Sequence, residues 1–189
     1  MKKLLFIVLS LFIFSCKDDD SASSDSSNKM KDASSVILTS TSCESNNTTL
    51  LELTKEEREA LIAKNNANLT AEVFAEVNAY RSLQNLRELI NNDDLLVVGI
   101  QHNELQIRED SISHKFALSR FCSIIQNTPI KSFAENTAFG FDSAQSVVEA
   151  LLNSPNHKRN IEGDFDAMAT SVVANTDGVL FYTQIFIKL

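Results

Sequence analysis

Three histidines are spread over 189 residues, and with the acids near them they are the side chains best suited to proton or metal chemistry. His157 stands in LLNSPNHKRNI, two residues after Pro155, which is one of only two prolines. His114 follows Ser113, and Glu135 lies in the run AENTA. An imidazole holds a metal ion or moves a proton near neutral pH. Local spacing alone does not make a site of them, since nothing like HExxH is present. Taken singly, His114 and His157 read equally well as surface-loop histidines, and Glu135 as a solvated carboxylate at a strand end. Nucleophilic and phosphate chemistry find no support, because there is no GxSxG elbow and four glycines are too few for a phosphate cradle. Cys122 has Arg120 as its one nearby cation in sequence, too little to activate a thiolate.

The elements that must position these residues follow from caps and periodicity. Thr54 and Glu57 form a capping box that opens a helix reaching about Lys64, and Asn65 to Asn68 break it. A second helix begins near Thr70, with Val73, Val77, Tyr80 and Gln84 on one stripe and Phe74 and Arg81 beside it. After a break at Asn91 to Asp94, a third helix from Leu95 to about Glu109 carries Leu95, Val98, His102 and Leu105 on one face. Gly99 in its interior costs about 1 kcal/mol and signals close packing. Ser143 caps a fourth helix that buries Val147, Val148, Leu151 and Leu152 and ends at Asn153, because Pro155 disfavours helical geometry at Ser154. Phe133 to Phe139 reads as a short strand. Met168 to Ala174 and Val179 to Ile187, around Asp177-Gly178, form an antiparallel hairpin. This order predicts an α+β fold rather than alternating βαβ units.

Five pieces stand in order: Asn78-Ala79-Tyr80-Arg81, Ile112-Ser113-His114, Ala134-Glu135-Asn136-Thr137-Ala138, Ser154-Pro155-Asn156-His157 and Tyr182-Thr183-Gln184-Ile185-Phe186. Together they resemble the bacterial, SCP-like branch of the CAP superfamily, the domain of cysteine-rich secretory, antigen 5 and pathogenesis-related proteins. The resemblance covers residues 70–189. It implies a three-layer α/β/α sandwich of the CAP type with the terminal hairpin, and a cavity lined by two histidines and acidic residues.

On that resemblance His114, Glu135 and His157 are the expected metal ligands, and zinc the expected divalent metal, with a fourth position open to water. Ser154, Asn136 and His102 are expected to line the cavity, His102 in a structural role. Asn78 and Arg81 are expected to fix helix packing, and Asn136 to satisfy backbone groups of its own loop. Asn156 replaces the family glycine and is expected to take the same left-handed turn, which asparagine tolerates best after glycine. The second family glutamate falls at Ser154, which leaves the cavity one carboxylate short. Leu151 stands for a tryptophan, and Ala134, Ala169 and Ser171 for glycines, all small enough to keep the backbones close.

The start of the chain adds an address. Residues 1–15 read as a lipoprotein signal peptide: Lys2 and Lys3, an apolar run from Leu4 to Phe14, then Ile13-Phe14-Ser15-Cys16, which resembles a lipobox that lipidates Cys16. Cys16-Lys17-Asp18-Asp19-Asp20 is similar to the tag that carries some Gram-negative lipoproteins to the cell surface, so a surface-exposed site on the bacterial outer membrane is expected. Losing Lys2 and Lys3 takes the formal charge from −8 to −10, which excludes tracking a nucleic-acid backbone. Residues 16–49, poor in large apolar side chains, read as a flexible linker, and 50–69 as a helical extension before the domain at 70–189. Cys43 and Cys122 either bridge, closing a loop worth roughly 4 to 5 kcal/mol, or Cys122 is a small buried hydrophobe.

The function these readings favour is an extracellular binding module, anchored through Cys16 and holding a lipid, glycan or protein ligand. Catalysis is disfavoured by the missing carboxylate, because a hydrolase needs a proton acceptor beside its water. A metal-dependent hydrolase at His114, Glu135 and His157 is one alternative. A structural surface protein with a vestigial site is the other.

Overall fold

Four side-chain caps and one glycine turn set most element boundaries. The computed structural model describes Cys43 and residues 53–189. The expected signal peptide, Cys16 and most of the expected linker lie outside the described residues. Thr54 forms its capping box with Glu57, at 2.8 and 3.2 Å, and opens α1, Lys55–Ile62. Asn66 lies in the expected break, yet its side chain accepts from Leu69 N at 3.1 Å and starts α2, Ala67–Leu83. The boundary expected at residue 70 thus falls inside α2. β1 is only Ile90–Asn91. Asn92 caps α3, Asp93–Glu109. Next come α4, Ala117–Asn127, and β2, Ser132–Phe139. Ser143 caps α5, Ala144–Asn153, and Pro155 occupies the first turn of α6, Pro155–Ile161, where its missing N–H leaves no bond unmade. β3, Ala167–Ala174, and β4, Leu180–Lys188, complete the chain, joined by a turn in which Gly178 takes φ +79°.

The sheet order is β1-β3-β4-β2, with β1 parallel to β3 and the other two pairs antiparallel. Successive strand residues face opposite sides, and both sides are covered. Met168, Val172, Tyr182, Phe186, Ala134 and Ala138 pack with α2, α5 and Ile161 of α6. Ala167, Ala169, Ile185, Ile187 and Phe133 pack with Leu95 of α3 and Phe121, Cys122 and Ile124 of α4. The α+β fold expected from the order of elements is therefore the one present, with helices on both sheet faces.

Local packing answers several expectations. A Cβ on Gly99 would lie 2.6 Å from Ser171 Oγ, so the glycine lets α3 close on β3. The buried stripe of α3 is rotated from the expected one, since Val98 and Leu105 are half-buried while Ile100, Asn103 and Gln106 are buried. Polar partners on β3 and β4 make that rotation possible. Asn103 Nδ2 donates to Ser171 O and Oγ at 3.1 and 3.0 Å, and Gln106 Nε2 donates to Thr183 Oγ1 at 3.2 Å. Arg81, 2% exposed, donates to Arg87 O, Ile161 O and Gly163 O. Asn78 exchanges two bonds with the Leu89 backbone at 3.0 and 2.9 Å, so both residues tie loops to α2.

Cys43 and Cys122 form a disulfide, with Cα atoms 5.5 Å apart. It binds the expected linker to α4. Among the described residues, no helix is long and apolar enough to cross a membrane.

Candidate functional site: a carboxylate held by a guanidinium

Alternation along β2 separates Glu135 from Asn136. Glu135, 2% exposed, turns toward α3 and α4, while Asn136 turns toward α6. On the Glu135 side the main partner is Arg120, which shares the buried stripe of α4 with Ala117, Phe121 and Ile124 at helical spacing. Its Nε donates to Glu135 Oε2 at 2.7 Å and its Nη2 to Oε1 at 2.6 Å. The third donor, Nη1, reaches Lys115 O at 2.7 Å and so fixes the segment carrying His114. His114 Nδ1 lies 2.8 Å from Glu135 Oε1. His102, 1% exposed on α3, sets its Nδ1 3.2 Å from Thr183 Oγ1 and 3.5 Å from Glu135 Oε2.

Protonation follows from these partners. Burial would push the Glu135 carboxyl up, but the charge of His102, the bond from His114 and the Arg120 guanidinium outweigh it and hold it at about 2. Desolvation lowers His102 to about 4, against the pull of Glu135, so this ring is neutral at pH 7. Of Arg120 and His102, Arg120 is therefore the charged partner of Glu135 at neutral pH. An ionised Glu135 only accepts, so His114 Nδ1 carries a proton and donates it. Thr183 Oγ1 gives its own proton to Asn103 Oδ1 at 2.7 Å, so His102 Nδ1 donates to Thr183.

The Asn136 side is neutral. Asn136 Nδ2 donates to His157 O at 3.2 Å and to Gln184 Oε1 at 3.1 Å, and Asn160 Nδ2 donates to Asn136 Oδ1 at 2.8 Å. Asn160 also reaches Glu135 O, at 3.2 Å, and so ties α6 to β2. His157, 1% exposed, lies in α6 with Nδ1 2.9 Å from Ser154 Oγ.

The expected site residues thus fall into two groups. His102, His114 and Glu135 meet at Arg120, whereas His157, Ser154 and Asn136 belong to the α6 network. Neither histidine expected to ligate metal is a loose surface group. Asn136 serves the carbonyl of α6 rather than its own loop. The left-handed turn expected at Asn156 is not there: Asn156 is inside α6, and outside glycine the described positive-φ residues are Asn85, Asp110 and Phe116. Extended Ser154, at φ −93° and ψ 118°, makes the bend, and Pro155 at once begins a new helix.

The donor set does not suit zinc as it stands. Both Glu135 oxygens already accept from a guanidinium, and a second cation there would meet Arg120. Among the described residues, no three His, Cys, Asp or Glu side chains are grouped to hold a metal ion. Arg120 is the residue that motif matching passes over. Its signal in the sequence is a charge placed on the otherwise apolar stripe Ala117, Phe121, Ile124.

Between α3 and α4 a cleft of about 290 Å³ opens over this cluster, lined by His102, Leu105, Arg108, Phe116, Ser119 and Arg120. Phe116 is 57% exposed at φ 61°, a strained setting for an aromatic residue, with Lys115 Nζ 5.3 Å from its ring centroid.

The fold, with helices over both faces of its sheet, is of the SCP type. It is shared with an outer surface protein of Borrelia burgdorferi, at TM-score 0.56 and 21% identity over 72% of this chain and 96% of that one. A cysteine-rich secretory protein of Staphylococcus aureus matches at TM-score 0.56 and 21% identity over 66% of this chain. An extracellular SCP-domain protein of Bacillus anthracis matches at TM-score 0.56 and 23% identity over 72%. This chain spans only 39% and 44% of the length of the latter two. No protein-family model and no curated protein matches the sequence. The fold expected from the five motifs is thus the observed one.

Proposed function

We propose that this protein is a surface-anchored extracellular binding module, held on the outer membrane by acyl chains on Cys16, which takes its ligand in the α3–α4 cleft. One observation carries the choice of binding over hydrolysis. Glu135, the carboxylate of the cluster, has both oxygens engaged by Arg120 and His114, so it is a poor proton acceptor for an attacking water. The position at which the resemblance puts a second acid is Ser154, whose hydroxyl meets His157.

The cleft suggests the ligand. Leu105 and the exposed ring of Phe116 offer apolar contact, and Arg108 at the rim favours an anionic group. A lipid-like molecule with an acidic head fits both. The surface and extracellular proteins that share the fold support the location. Two or three acyl chains, at about 0.8 kcal/mol per buried methylene, would hold an acidic domain without help from anionic headgroups.

Titrating the protein with a fluorescent fatty acid and with its neutral alcohol analogue tests the ligand. Binding of the acid, weakened at least tenfold in Phe116→Asp and Arg108→Glu but kept in His114→Ala, is expected. Equal binding of acid and alcohol, or hydrolysis of model esters abolished in His114→Ala, would overturn the reading. Radiolabelled palmitate entering the wild type and not Cys16→Ala tests the anchor, and protease treatment of intact cells tests surface display.

A further inference from the structure

We propose that α1 is a strap: fastened at both ends and held to α3 between them by two exposed ion pairs, it lifts off a groove while the rest of the domain stays folded. The inference does not depend on the ligand of the α3–α4 cleft. No residue of α1 is buried, and only Arg58 and Leu61 are half-buried. A helix that belongs to a core turns an apolar stripe inward, and a single half-buried leucine is not one. What joins α1 to α3 is charge. Arg58 Nη2 lies 2.7 Å from Asp94 Oδ1, and just past the helix Lys64 Nζ lies 2.6 Å from Glu104 Oε2. These four side chains keep between 32% and 71% of their surface, so water and salt compete for both pairs.

The two ends are fastened by other means. Before α1, the Cys43–Cys122 bridge joins the chain to α4. After it, Asn65 Oδ1 accepts from Val172 N and Asn66 N donates to Val172 O, both at 2.8 Å, which ties the chain to β3. Neither fastening is an ion pair, so neither loosens with salt. The groove, of about 280 Å³, is lined by Leu53 and Arg58 on the strap's side and by Leu95, Val98 and Ile124 of α3 and α4. Gln101 lines both this groove and the ligand cleft, so lifting the strap opens the same α3–α4 seam at the other end of α3. Salt should act selectively here, because the Arg120–Glu135 pair is buried and screened far less.

The test is amide hydrogen exchange of the whole protein, read by mass spectrometry in low salt and in about 1 M sodium chloride, where screening reaches down to roughly 3 Å. A helix of 8 residues does not hold its hydrogen bonds alone in water, so its amides report whether α1 is docked. In high salt the amides of α1 are expected to exchange about tenfold faster, with α3, α4 and the sheet unchanged. Arg58→Glu/Lys64→Glu should show that faster exchange already in low salt. Lys55→Glu, whose partner Glu59 lies on α1 itself, should behave as wild type. Lys64→Glu/Glu104→Lys, which re-forms a pair with its charges swapped, should recover protection lost in Lys64→Glu. The neutral dye Nile red should brighten in step as the apolar floor is uncovered. Exchange in α1 that ignores both salt and Arg58→Glu/Lys64→Glu would overturn the strap. Loosening of α3 and β3 together with α1 would do the same, since α1 would then belong to the cooperative core. Release of α1 with no change in Nile red would overturn the opening of the groove.

Discussion

The two faces of β2 bury polar groups of similar size and satisfy them in different ways. Glu135 faces α3 and α4, where an ionised carboxylate is balanced by one guanidinium and oriented imidazoles. Asn136, the next residue, faces α6 and joins neutral amides and a backbone carbonyl. A charged cluster is sensitive to loss of a single partner, because the remaining charge is stranded. An amide network loses one bond at a time. The charged face also carries the Cys43–Cys122 bridge, so covalent and electrostatic constraints are concentrated on the same side.

That contrast can be broken in order of expected size. Cys43→Ser should be the most severe, since opening a bridge between residues 79 apart costs roughly 4 to 5 kcal/mol in the chain-entropy model, read by urea denaturation. Arg120→Met should cost about 3 to 5 kcal/mol in the same assay, as expected for removing one partner of a buried pair. Equal effects of Arg120→Met and Asn136→Ala would erase the distinction between the faces.

Acid should act on the charged face first. Between about 6.5 and about 4 an unfolded His102 binds a proton that the folded ring refuses, so stability falls as pH drops through that window. Glu135 adds a second loss below its ordinary value of 4.5, because the folded carboxylate stays ionised down to about 2 while the unfolded one protonates. His102→Gln should flatten the upper part of a melting-temperature profile against pH, whereas Asn136→Ala should leave its shape alone. The smallest effect is expected from Asn136→Ala itself, about 1 to 3 kcal/mol by urea denaturation, for partners left unsatisfied in the core.

Local chemistry made much of this fold legible. Thr54 and Ser143 cap where the sequence says they should, and the Asp177-Gly178 turn joins the two strands expected around it. α4 escaped because nothing marks its start: Phe116 sits at its N-cap with φ 61° and no side-chain bond, a geometry imposed from outside the segment. Asn156 lies in a helix rather than a left-handed turn because a proline after an extended residue opens a helix as readily as it closes one. The residues of the candidate site were visible as motifs, but their grouping was not. The parity of β2 separates Glu135 from Asn136, and the partner that completes Glu135 comes from the helix without a signal. His102, expected in a structural role, is hydrogen-bonded in the interior and stands beside Glu135.

The Cys43–Cys122 bridge has a mechanical consequence as well. α1 has no buried residue and is the weakest handle by which the domain could be pulled. A load arriving along the chain from before residue 43 reaches a branch point at Cys122, inside the cluster of Phe121, Phe133 and Ile185. Such a force would enter the sheet through α4 and bypass α1, straining the layer beneath α4 instead of peeling the first helix away.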